Sequence, residues 1–174
     1  MNYNKTIMEL KEIYELQRKI DEAFAARKDV DNTTRTRSLK AFHRMKAIAL
    51  MVEAAEYANE IQTFKYWKAN KNIQDDKILE EFADIMHFAC SLAIEYKVPS
   101  NVEPIIASQD QNIQLAKLFS AISKCMKTLN TKNVQNALAL ALGSAKLNGY
   151  SDEEIYKWYK YKNDKNYQRI KDKY

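Results

Sequence analysis

The sequence predicts an all-α fold, most simply a helical bundle of about six helices, and three observations carry the prediction. Apolar residues recur at steps of three and four along nearly the whole chain, the spacing of one helix face. Glycine and proline occur only twice each in 174 residues, too few turn formers for an all-β chain. No segment reads as a strand, and no internal repeat is present. Hydrophobic residues make up 46%, enough for a core, which excludes a disordered chain. Residues 1–174 are expected to form a single domain.

The elements follow in order. Residues 5–25 carry Ile13, Leu16, Ile20 and Phe24 on one helical face. The stretch 29–36, rich in turn and cap formers, reads as a loop. A second helix is expected from about Ser38 to Phe64, and a Lys- and Asn-rich connector leads to a third, from about Asp76 to Tyr96, stopped by Pro99 and Pro104. A fourth spans about 109–128 and a fifth about 132–147, ended by Asn148-Gly149. Ser151 with Glu154 three residues on is a capping box that opens the last helix.

Composition excludes several function classes. The two glycines allow no Gly-rich phosphate loop. Cys90 and Cys125 form no CxxC, and two histidines, His43 and His87, cannot build a His-rich metal site. The polar start, Asn2 to Thr6, predicts no signal peptide, and no apolar run spans a bilayer, so a cytoplasmic location is expected. The net charge of +5 fits a phosphate binder and equally an ordinary Lys-rich protein. The basic run Arg35, Arg37, Lys40, Arg44 and Lys46 around His43 has no aromatic stacking pattern beside it. It reads as a solvated helix face, and nucleic acid is not the expected partner.

The chemistry sits in two carboxylate pairs. Glu53 and Glu56 form an ExxE in the second helix; Glu81 and Asp84 form an ExxD in the third. Residues three apart share a helix face. Both pairs are embedded in apolar sequence, where unpaired charge is costly. Oxygen donors of this kind suit a hard divalent cation such as Mg²⁺.

The surrounding sequence is more specific. Val52 to Lys68 reads VEAAEYANEIQTFKYWK, and Leu79 to Phe88 reads LEEFADIMHF. This resembles the MazG-like all-α nucleotide pyrophosphohydrolases, and within them the dimeric dUTPase family. The matching residues are Glu53, Glu56, Asn59, Glu60, Phe64, Lys65, Tyr66 and Trp67, then Glu80, Glu81, Asp84, His87 and Phe88. Leu16 to Asp21 resembles the family's L-Q-x-x-L-D segment, with Ile20 for the second Leu. Lys162, Asn163, Asn166 and Arg169 resemble its C-terminal KN-x-x-N-x-x-R, although Lys173 stands where a glycine is usual before the final tyrosine, Tyr174.

The resemblance implies Mg²⁺-dependent hydrolysis of dUTP, and of dUDP, to dUMP. It implies Mg²⁺ on Glu53, Glu56, Glu81 and Asp84, two or more ions per site, with Mn²⁺ as a substitute. Glu53 is the favoured general base, with Glu56 as the alternative. Lys162, Asn166 and Arg169, with Lys65 a weaker candidate, are the implied phosphate contacts. Gln17 and Asp21 are implied for base or sugar, with Trp67, His87 and Phe88 as pocket walls; His87 shares a face with Asp84 and fits a partner of the metal ligands equally. A homodimer is implied, with a pocket drawing on both subunits.

Two other readings stay open. A pyrophosphatase for dCTP or another nucleotide would keep the carboxylates and change the base pocket. A helical regulatory or nucleic-acid-binding module would use the basic run and have no need of four aligned carboxylates. Lys and Asn richness further suggests an AT-rich coding genome, of a low-GC bacterium or its phage.

Overall fold

The computed structural model describes residues 7–27 and 38–172. The expected loop at 29–36, Arg35, Arg37, Lys173 and Tyr174 lie outside the described residues. The described residues form an all-α bundle: α1 (Lys11–Ala25), α2 (Leu39–Ile61), α3 (Asp75–Glu95), α4 (Gln111–Lys127), α5 (Thr131–Leu147) and α6 (Asp152–Lys171). None of these helices is long and apolar enough to cross a membrane.

One expectation is corrected. The first helix does not begin near residue 5, and a short ladder exists where none was expected. Met8–Glu9 (β1) pairs antiparallel with Asn101–Val102 (β2), Met8 opposite Val102. The Leu10 N–H then donates to the Ser100 carbonyl at 2.8 Å, and α1 starts only at Lys11. A two-residue ladder carries no period-2 pattern long enough to be read from sequence.

The helix ends follow local chemistry. Ser38, Asp110 and Asn130 each accept a backbone N–H at the start of α2, α4 and α5. Ser151 and Glu154 form the expected capping box at α6. The second helix stops at Ile61, three residues before the expected Phe64, because Gln62 turns left-handed at φ 60°. After α3, Lys97 is left-handed, its N–H donates to Ile94, and the Val98 N–H reaches Ala93 at 2.8 Å. That closes the helix one turn before Pro99. Gly149, at φ 90°, ends α5 by the same pattern.

The bundle is organised around α3, which packs against α1, α2, α5 and α6. Phe82, Ile85, Met86, Ala89, Cys90, Leu92 and Ala93 are all buried, which leaves α3 little solvent-facing surface. Both cysteines are free and buried. The segment before α4 is pinned to α5 by Gln114, whose amide donates to the carbonyls of Ile105 and Leu140 and accepts from the Ala107 N–H. Gly143 on α5 makes this approach possible: a Cβ there would lie 1.9 Å from the Ile105 carbonyl oxygen.

That contact is with backbone, so no rotamer change relieves it. Gly143→Ala is expected to cost about 3 kcal/mol and to lower the thermal midpoint by roughly 6–12 °C, read by calorimetry. An unchanged midpoint would mean that the 103–110 segment is free to move away.

Candidate active site

The site lies where α2 and α3 run against each other under α1 and α6. A cavity of about 560 Å³ opens there. Glu53 and Glu56 enter from α2, Glu81 and Asp84 from α3. Carboxylate oxygens of Glu53, Glu81 and Asp84 lie within 4.8 Å of one another. Glu56 lines the same cavity but is not part of that trio.

Three carboxylates so close repel one another. Burial, and then the charges of Asp84, Glu56 and Glu81, push Glu53 up to about 7. Glu81 and Asp84 are also raised, chiefly by burial. The cation that restrains this repulsion is Lys162 from α6, 5% exposed, whose ammonium lies 2.6 Å from Asp84 and 3.1 Å from Glu80. Burial works against the charge of Lys162, but its bonds to Asp84 and Glu80 outweigh it and raise its pKa. Lys165 adds a second bond to Glu80, at 2.9 Å, and holds that carboxyl below its ordinary value.

The donor set fits a divalent cation. It is all oxygen and it converges within the reach of one ion, in surroundings where burial and mutual repulsion make a compensating cation favourable. One buried lysine does not neutralise three clustered carboxylates and a fourth at the rim.

The other end of the cavity is a hydrogen-bonded network of neutral groups and paired charges. Gln17 Nε2 donates to Asp21 at 2.8 Å; Gln17 Oε1 accepts from the Tyr159 hydroxyl at 2.8 Å and lies 2.9 Å from His87 Nδ1. Ser91 donates to Asp21 at 2.5 Å and accepts from the Lys46 ammonium at 2.6 Å. Phe88 lines the wall, and Asn166 and Arg169 approach from α6, where the Arg169 guanidinium donates to Asn166 Oδ1.

The cavity thus brings together every residue given a metal, phosphate or base role from the sequence except Lys65 and Trp67. Those two lie in the turn beyond α2. Lys65 donates to the Asn59 carbonyl, and Trp67, 61% exposed, packs edge-on against Phe64 and Tyr66.

Sequence reasoning missed Lys46, Ser91 and Tyr159. The expected solvated face of the basic run is corrected at two positions. Lys46 is turned inward with its side chain 12% exposed, and His43 is buried against Tyr96. The first follows from helix geometry: Lys46 lies seven residues before Glu53 and therefore on its face. Ser91 likewise lies seven after Asp84. These intervals were visible in the sequence. Tyr159 lies three residues before Lys162 and seven before Asn166, so its face was visible as well, but its partner Gln17, 142 positions away, was not.

Among curated proteins, none matches the chain. The family model described as dUTPase matches residues 9–174, the whole of the bundle described above. With that match spanning all four helices that build the cavity, the chain belongs to the all-α dUTPase family and is an enzyme of the dUTP diphosphatase class.

Proposed function

We propose that this chain hydrolyses dUTP, and also dUDP, with Mg²⁺ bound by Glu53, Glu56, Glu81 and Asp84. The observation that carries the reading is the convergence of Glu53, Glu81 and Asp84 within 4.8 Å beside a buried lysine. With Mg²⁺ held by these carboxylates, the charge on the phosphates would be neutralised and the attacking water made more acidic. Glu53 then takes the proton of the attacking water. With dUTP, water adds across the bond between the α- and β-phosphates, giving dUMP and pyrophosphate. Lys162, Asn166 and Arg169 hold the phosphate oxygens, and α1 faces the base. Phosphate oxygens offer Lys162 the same kind of partner that Asp84 offers it in the free protein.

The direct test is product release from a panel of deoxynucleoside triphosphates, with and without Mg²⁺. Pyrophosphate from dUTP that needs the metal supports the reading. Metal-independent turnover, or a preference for dCTP, overturns it. Glu53→Gln, Glu81→Gln and Asp84→Asn should each reduce turnover by at least about a hundredfold with helical content unchanged. Retention of near-wild-type turnover by all three would remove the metal site.

The carboxylates also set a pH dependence for the metal-free protein. Glu53, Glu81 and Asp84 bind protons more tightly folded than unfolded. Stability they contribute is present at acid pH and lost as pH rises toward about 7, where Glu53 ionises. The metal-free thermal midpoint should fall between about pH 5 and pH 8, and a divalent cation should restore it at pH 8. A midpoint that rises over that interval, or that ignores the cation, contradicts the cluster.

We further propose a homodimer joined through α2. Met45, Ile48, Val52 and Ala55 form an exposed stripe at steps of three, four and three, and Ile48 and Val52 are each 49% exposed. The same helix is basic at its start, Lys40 and Arg44, and acidic at its end, Glu56 and Glu60. A two-fold axis across the stripe sets each basic half against the partner's acidic half. Lys65 and Trp67, outside their own cavity, are then free to complete the partner's. Light scattering should give a dimer, and Ile48→Glu with Val52→Glu a folded monomer of reduced activity. A strictly monomeric wild type with full activity overturns this arrangement.

A further inference from the structure

Glu80 stands apart from the other carboxylates of this face. It is not one of the three that converge, and it is not among the residues that line the cavity. It looks instead toward α6, where its Oε1 accepts from Lys162 at 3.1 Å and from Lys165 at 2.9 Å. Lys162 also reaches Asp84 at 2.6 Å, and Asp84 does belong to the converging trio. One buried ammonium is therefore shared between a carboxylate inside the cluster and a carboxylate outside it. Helical spacing makes the sharing possible. Glu80 and Asp84 lie four apart on α3, and Lys162 and Lys165 three apart on α6, so each pair shares a face.

The two bonds of Lys162 differ in what a cation on the cluster does to them. With a divalent cation on Glu53, Glu81 and Asp84, the charge of Asp84 is shared with that ion, and the ammonium beside it meets a like charge at close range. Lys162 has no way out to water: its side chain is 6% exposed, and a buried ammonium without an anion is costly. Glu80 is the anion that remains to it. It is already bonded to Lys162, it lies outside the cluster, and the bond from Lys165 holds it ionised, below its ordinary value.

We propose that Lys162 is the internal counter-ion of the carboxylate cluster in the free protein, and that Glu80 is a positioning residue that keeps its ammonium at the cavity wall once a divalent cation claims Asp84. The inference rests on the reading that Glu53, Glu81 and Asp84 hold a divalent cation, and deepens it. Lys162 then meets the nucleotide phosphates from a fixed place instead of competing for the metal ligands. Glu80 acts through Lys162, so its effect on the cluster exists only while Lys162 is present.

Isothermal titration calorimetry with Mn²⁺ on the nucleotide-free protein tests this, on the wild type, Lys162→Met, Glu80→Gln and the double variant, with helical content checked by circular dichroism. Glu80 is partly exposed and Gln has its shape, so that variant keeps the fold even where Lys162→Met does not. Lys162→Met should tighten Mn²⁺ binding about tenfold, because a competing charge is gone. Glu80→Gln should weaken it about threefold or more, because Lys162 then leans on Asp84 alone. In the Lys162→Met background Glu80→Gln should have almost no effect. At saturating Mg²⁺, Glu80→Gln should also raise KM for dUTP more than it lowers kcat. Mn²⁺ affinity unchanged in Glu80→Gln, or lowered equally with and without Lys162, overturns the positioning role. Weaker binding by a folded Lys162→Met overturns the counter-ion role. A wild type that binds no Mn²⁺ overturns the metal reading itself, and the inference with it.

Discussion

Everything in this bundle is arranged around a buried cation among anions. Lys162 reaches from α6 to Asp84 at 2.6 Å and Glu80 at 3.1 Å, and it is the buried cation that opposes the repulsion across the acidic face shared by α2 and α3. The pair also locates α6. Burying an ammonium is tolerated only where carboxylates meet it, so the last helix has one register in which Lys162 is satisfied. Tyr159, one turn earlier, is carried by the same register to Gln17. A contact required by charge therefore also sets the geometry at the neutral end of the cavity.

The rest of the molecule keeps that face in place. Its central helix, α3, is covered by α1, α2, α5 and α6, so the Glu81 and Asp84 carboxylates project from a rigid rod rather than a loop. Among the described residues, α2 keeps Met45, Ile48 and Val52 open to solvent, on the same helix that carries Glu53 and Glu56. The proposed dimer would cover this strip and remove its apolar surface from water.

How much of this was legible in the sequence depends on the length scale of each feature. The carboxylate pairs were legible because both partners of each lie three residues apart on one helix. The capping box at Ser151 and the stop at Gly149 are equally local, and both are found. The ladder of Met8 with Val102 is not local and is too short to leave a pattern. Lys46 was read as solvated although its interval from Glu53 placed it on the inner face; composition misled where periodicity would have sufficed. Gln17 was legible as a site residue, but not its orientation. That depends on Asp21 and Lys46 fixing the proton order, and on His87 and Tyr159 arriving from 70 and 142 positions away.

Two chemistries share this cavity, and helical pitch is what keeps them apart. On α3, Asp84, His87 and Ser91 follow at steps of three and four, so one helix face passes from anion to neutral imidazole to hydroxyl. On α6, Arg169, Asn166, Lys162 and Tyr159 descend at steps of three, four and three, from cations to a neutral phenol. The two series lie side by side: Lys162 meets Asp84, and Tyr159 stacks on His87. Each turn rises about 5.4 Å, so the charged and neutral ends are separated by little more than a turn. Burial first, and then the charges of Lys162 and Arg169, hold the His87 imidazole down to about 3 and keep it neutral. An insertion of one residue in α3 between Asp84 and His87 would rotate everything beyond it by about 100°, taking the imidazole off the cavity while leaving the carboxylates where they are. The selectivity of the site and its catalysis are separable in principle, and they are joined here only by the continuity of two helices.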